Sequence, residues 1–225
     1  MTSPNSTLVT LAQPRSTAAE AYRSLRTNLM FAALDQPLST LVVTGPTSHE
    51  AKSLTAANLA VTLAQGGRRT ILVDCDLRRP AQSEIWNLSK DAPGLTTLVL
   101  DHNAVANPPL VDVGIENLSI LPTGLLPLTP ADLLSSRKLE EAIAALKSRA
   151  DILLFDAPPV LAVSDAALLA SKLDGLLLVM SAGGTRREHA QRAKDLLERV
   201  HIRIVGTVLT DAPVDASLGG FYSQK

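Results

Sequence analysis

The sequence predicts an α/β fold, a mainly parallel sheet with helices on both faces, and three observations carry that prediction. Short apolar runs recur along the chain, and they are continuous rather than alternating, as in strands buried on both faces. Stretches with a helical apolar period lie between them. Residues 40–75 read strand, loop, helix, strand, the unit from which parallel sheets are built. The composition permits such a fold, because 46% apolar residues in a chain of 225 can form a large core without covalent staples.

Taken in order, the expected strands are Thr40–Thr44, Thr70–Cys75, Leu118–Pro122, Asp151–Asp156, Gly175–Met180 and Ile204–Leu209. After the first, Leu54, Ala57, Val61 and Ala64 fall on one helical face, and Gly66 with Gly67 supplies a C-cap before the second. Towards the end, Ala190, Ala193, Leu197 and Val200 make a stripe among Arg, Lys, Glu and Asp. With no internal repeat, one domain is expected over residues 16–212. Residues 1–15, containing Ser, Thr and Pro, and residues 213–225, containing Gly219, Gly220 and Tyr222, read as flexible tails.

Charge and cysteine usage narrow the function classes. With 21 basic and 22 acidic residues the net charge is −1, which gives no field to draw the chain onto nucleic acid or an anionic membrane. The single cysteine, Cys75, leaves no internal disulfide and no Cys-rich metal site, and the histidines lack ligand-spaced partners. The first residues lack a basic start followed by an apolar run, and the most apolar windows fall short of the roughly 18 residues a membrane span needs. A cytoplasmic location follows, at a membrane only through a partner.

The chemistry concentrates in "VTGPTSHEAKSLT", residues 43–55, which follows the first strand. A phosphate-binding loop of the form G-x-x-x-x-G-K-[ST] folds backbone N–H groups around phosphate oxygens, with Lys and Ser/Thr reaching the terminal phosphates and Mg²⁺. Lys52 and Ser53 occupy those positions, but Pro46 and Ala51 stand where the glycines belong. Two more strands end in acidic residues, at "DCDLRRP" from Asp74 and "DAPPV" from Asp156. Ligands of open parallel sheets bind at the carboxyl ends of strands. If these strands are neighbours, Asp74, Asp76 and Asp156 converge where Ser53 would present Mg²⁺, holding the metal or taking a proton from an attacking hydroxyl.

These segments, with "EAYRSLRTNLMFA", "ILPTGLLPLTPADLLSS" and "ILLFDAPPVLAVSDAALLASKLDGLLLVM", resemble the bacterial tyrosine kinases of capsule and exopolysaccharide synthesis, relatives of the MinD-like deviant P-loop ATPases. The resemblance runs from about Ala18 to Ala212 and implies a three-layer α/β/α P-loop fold that uses ATP and Mg²⁺. It implies a nucleotide loop of Thr47, Ser48, His49, Glu50, Ala51, Lys52, Ser53 and Leu54, with Thr210 where the family has an adenine-contacting Asn. Lys52, Asp74 and Asp76 would be catalytic, and Ser53, Asp74 and Asp156 would hold the metal. Glu20, Arg23 and Arg26 match the family's E-x-x-R-x-x-R oligomerisation motif, and Tyr222 is the one tail tyrosine left to accept phosphate. A transmembrane chain-length-control or export protein would be the activating partner.

Three departures bear on activity. Ala51 and His49 replace family glycines, and alanine in a glycine-only conformation costs on the order of 1–2 kcal/mol. Thr210 alters base recognition, and the C-terminal tyrosine cluster is reduced to Tyr222; Glu50 adds negative charge beside the triphosphate, where the family also carries an acid. A non-catalytic scaffold that binds the export protein therefore stands beside the kinase reading. A MinD-like positioning ATPase is a further alternative, disfavoured because the tail lacks an amphipathic membrane helix.

Overall fold

The computed structural model describes residues 7–213. Seven strands form one sheet: β1 (Thr40–Thr44), β2 (Thr70–Asp74), β3 (Val111–Asp112), β4 (Leu118–Leu121), β5 (Ile152–Asp156), β6 (Gly175–Ser181) and β7 (Ile204–Thr210). Their order is β3-β4-β2-β5-β1-β6-β7, all parallel except the two-residue edge strand β3. The six strands expected from sequence are all present, with ends shifted by one residue at most. β3 was not expected, since two residues carry no periodicity to read.

Among the described residues the nine α-helices are α1 (Val9–Ala12), α2 (Thr17–Ala32), α3 (Lys52–Gln65), α4 (Gln82–Ile85), α5 (Leu95–Leu100), α6 (Pro130–Ser135), α7 (Arg137–Lys147), α8 (Asp165–Ala170) and α9 (Arg187–Arg199). Alternate strand residues feed two separate cores. Val42, Val73, Leu153, Phe155 and Leu178 pack against α5 to α9, while Leu41, Val43, Leu72, Leu154 and Val179 pack against α1 to α4. A strand covered on both faces has no wet side to mark with polar residues, which is why the runs are continuous.

Two helical readings change. Every residue of α3 from Thr55 to Ala64 is buried, whereas Leu54, assigned to the buried face, is 36% exposed at the start of the helix. Val200 lies beyond the end of α9 and is exposed, so the inner stripe there is Ala193 and Leu197. The flexible tail expected over residues 1–15 is also corrected for the part described. Leu8 is fully buried, and the backbone N–H and hydroxyl of Thr10 donate to Asn58 Oδ1 of α3 at 3.1 and 2.8 Å. Composition marks this stretch as polar and cannot reveal that one leucine and one threonine anchor it. Tyr222 lies outside the described residues.

Candidate functional site

Strand order creates the site. β5 lies between β1 and β2, so Asp156 pairs in register with Val43 on one side and Asp74 on the other, and the loop after β1 closes over them. That loop delivers Lys52 and Ser53 at the head of α3. Ala51 at the N-cap has φ 52° and ψ 32°, and no side chain caps the first turn. The unpaired N–H groups of that turn, together with the helix dipole, favour an anion. Ala51 is exposed, so its Cβ projects from the loop rather than packing into the protein.

Lys52 joins the acidic residues. Its ammonium lies 2.9 Å from Asp76 Oδ2 and 3.5 Å from Asp156 Oδ1, and donates to the Ser53 hydroxyl at 3.3 Å. Burial lowers the affinity of this amine for its proton, but Asp156, Asp76 and Asp74 together outweigh burial and hold its pKa above the ordinary lysine value. Burial raises the pKa of Asp156 despite the opposing influence of Lys52, Gln82 and Ser53. Asp156 Oδ2 accepts from the Gln82 amide at 2.8 Å, whereas Oδ1 is buried and receives no hydrogen bond.

That orphaned oxygen fits a divalent cation. Among the described residues no group of three His, Cys, Asp or Glu could hold a metal unaided. Mg²⁺ ordinarily binds through one or two carboxylates plus substrate phosphates and water, so Asp156 with Ser53 is a sufficient protein contribution.

Asp74, expected to serve the metal and proton transfer, has both carboxylate oxygens engaged by backbone donors. Its Oδ1 accepts from the Asp76 N–H at 3.2 Å, and its Oδ2 accepts from the N–H groups of Ala81 and Gln82 at 3.2 and 2.9 Å. Burial, then the neighbouring Asp156, push its pKa up to about 8. A carboxyl group engaged by three backbone donors organises the loop from 74 to 82. Asp76 is engaged as well, Oδ1 accepting from the N–H groups of Arg78 and Arg79 while Oδ2 pairs with Lys52.

Glu50 is the second correction. Instead of facing the phosphates, its side chain is buried, and its carboxylate accepts from the Thr47 N–H at 3.1 Å, the Thr47 hydroxyl at 2.5 Å and the Thr185 hydroxyl at 3.3 Å. A Cβ added at Gly45 would lie 2.9 Å from Glu50 Oε2, so Gly45 makes room for this brace. Ser48 and His49 form the exposed tip of the loop.

A groove of about 770 Å³ opens beside the loop, lined in part by Ala51, Leu54, Tyr22, Thr210 and Asp211. Thr210 and Leu54 therefore line one groove. Tyr22, read from sequence as core or interface packing, is half-buried in the groove wall, and burial raises its pKa. On the same helix Glu20 pairs with Arg23 at 2.6 Å, but Arg26 donates to the Thr62 carbonyl of α3 at 2.9 Å. Arg26 is thus engaged within the chain. Arg78 pairs with the fully buried Asp165 at 2.8 Å, a partner that spacing could not indicate.

Ala51→Gly is expected to raise affinity for ATP by about three- to tenfold, because it removes both a left-handed alanine and an exposed Cβ from the loop that would cradle phosphate. Calorimetry on both proteins checks this. Equal affinities would show that the ligand never meets that Cβ.

Residues 41–218 match the family described as the CobQ/CobB/MinD/ParA nucleotide binding domain. The chain is 35% identical over 220 residues to the tyrosine-protein kinase YwqD of Bacillus subtilis, covering 97% of this chain and 92% of that protein. It is 31% identical to the putative tyrosine-protein kinase CapB of Staphylococcus aureus, covering 93% and 91%. Among solved structures, the chimerical protein CapA2B2 superposes with a TM-score of 0.86 at 31% identity, covering 94% of this chain and 92% of that one. MinD of Pyrococcus horikoshii, complexed with Mg-ADP, shares the fold at a TM-score of 0.61 and 22% identity, covering 82% and 76%.

Proposed function

The chain belongs to the bacterial tyrosine-kinase family within the CobQ/CobB/MinD/ParA nucleotide-binding proteins, and we propose that it binds ATP with Mg²⁺ and transfers the terminal phosphate to Tyr222 of a second copy. The observation that carries the reading is the buried Asp156 Oδ1, which accepts no hydrogen bond and faces the Lys52 ammonium at 3.5 Å, beside Ser53 at an uncapped helix start. Lys52 and the first turn of α3 would hold the phosphates, Ser53 and Asp156 the metal, and the groove at Tyr22, Leu54 and Thr210 the base. Mg²⁺, when bound, supplies the charge neutralisation that phosphoryl transfer needs. Asp76, the carboxylate still directed into the site, would orient the tyrosine hydroxyl.

In this reading the chain acts as a homo-oligomer, with Glu20 and Arg23 on the contact surface. Its activator is a transmembrane protein of polysaccharide chain-length control or export. No helix among the described residues is long and apolar enough to cross a membrane, so membrane placement would come from that partner. The scaffold alternative rests on Ala51, whose left-handed backbone and projecting Cβ oppose close approach of phosphate.

One experiment separates the two. The purified chain is incubated with ATP and Mg²⁺, with and without membranes carrying the export protein, and nucleotide binding and Tyr222 phosphorylation are measured by calorimetry and mass spectrometry. The kinase reading expects Mg²⁺-dependent binding and phosphate on Tyr222. Binding without label under both conditions, beside a labelled active relative, leaves the scaffold.

A further inference from the structure

Gln82 heads α4 and is fully buried beneath the acidic site. Its amide nitrogen donates to Asp156 Oδ2 at 2.8 Å and to the Ser53 carbonyl at 3.1 Å, while its amide oxygen accepts the Trp86 indole N–H at 3.0 Å. The partners dictate the amide's orientation. An indole can only donate, and a backbone carbonyl can only accept, so a flipped amide would oppose like groups at Trp86 and at Ser53. The Gln82 backbone is held as well, its N–H donating to Asp74 Oδ2 at 2.9 Å. A buried amide with both donors and its acceptor engaged has little freedom to reorient.

The consequence falls on Asp156. One of its oxygens is taken by Gln82, and the other is buried without a hydrogen bond. The same amide grips the carbonyl of Ser53, so it couples the two residues assigned to the metal. We propose that Gln82 is a positioning residue that sets the rotation of the Asp156 carboxylate and reserves Oδ1 for Mg²⁺, with Trp86 locking the amide in that orientation. This inference rests on the nucleotide and Mg²⁺ reading above. It makes Asp74 part of the same chain of contacts, acting on the metal site through the Gln82 backbone.

Trp86 is the only tryptophan in the chain, so its fluorescence reports on this network without interference. The test titrates Mg²⁺ into the full chain saturated with ADP, following Trp86 emission and calorimetric heat, and separately measures ADP affinity in EDTA. Loss of a group that orients a metal ligand typically weakens metal affinity about 10- to 100-fold. Gln82→Leu should show that loss, abolish the Mg²⁺-induced emission change, and leave ADP affinity in EDTA within about twofold. Trp86→Phe keeps the packing but frees the amide oxygen, and calorimetry should show a smaller, metal-specific loss of about threefold. That variant carries the test if Gln82→Leu does not fold.

Unchanged Mg²⁺ affinity in both variants overturns the positioning role. So do equal losses with and without metal, which would mean that Gln82 only supports the fold. A wild-type chain whose ADP binding ignores Mg²⁺ removes the metal reading itself, and this inference with it.

Discussion

Lys52→Met is expected to lose nucleotide affinity by about 10- to 100-fold and to cost the ligand-free protein about 3–5 kcal/mol at neutral pH. The first figure is one charge-assisted contact to phosphate. The second arises because Lys52 is the cation that offsets Asp76 and Asp156 inside the protein, and its side chain is only 12% exposed. Removing it leaves carboxylates that burial already penalises. The cost should depend on pH in a definite direction. Asp74, with a pKa near 8, and Asp156, with a raised pKa, bind their protons more tightly folded than unfolded. Their contribution is full below the unfolded carboxylate pKa and is lost as pH rises through the folded value. Stability of the ligand-free wild type should therefore decline from pH 5 to pH 8, and the variant should decline more steeply because Asp156 has lost its main charge partner. Urea denaturation at the two pH values measures this, and an equal deficit at both would refute the electrostatic account.

Glu50→Ala is expected to weaken ATP binding at least tenfold and to cost about 1–3 kcal/mol of stability, the opposite of what charge repulsion alone would suggest. A carboxylate beside a triphosphate should hinder binding, and its removal should help. In the folded chain that carboxylate lies under the loop, bonded to Thr47 and Thr185, so removing it frees the loop and leaves the Thr47 N–H without its acceptor. Glu50→Gln, which keeps one acceptor oxygen, should fall between Ala and wild type. Calorimetry with ATP and Mg²⁺ on both variants decides it, and tighter binding by Glu50→Gln would restore the repulsion account.

Much of this was legible beforehand where the signal is local. Lys52 and Ser53 follow a strand at fixed spacing, and two further strands end in Asp74 and Asp156, so the phosphate-site character needed no coordinates. The roles within that set were not legible. Asp74 and Asp156 are equivalent as letters, each closing an apolar run with an aspartate, yet one turns its oxygens onto backbone donors of the next loop while the other leaves one oxygen without a hydrogen bond, facing Lys52. Gln82 and Asp165 carried no signal at all, because a buried polar residue gains meaning only from its partners, and theirs lie 74 and 87 positions away.

By itself the sequence determined the layered α/β architecture, six of the seven strands, the helix behind the phosphate loop and the residue types that meet a nucleotide. Those follow from hydrophobic periodicity and from backbone rules that act over a few residues. Only the tertiary structure decided that β5 lies between β1 and β2, that Glu50 braces the loop from beneath, that Arg26 turns onto α3, and which oxygen of Asp156 accepts no hydrogen bond. Strand order and the rotation of a buried carboxylate are set by packing and hydrogen bonds between distant segments, and no local pattern in the chain encodes which of several possible partners wins.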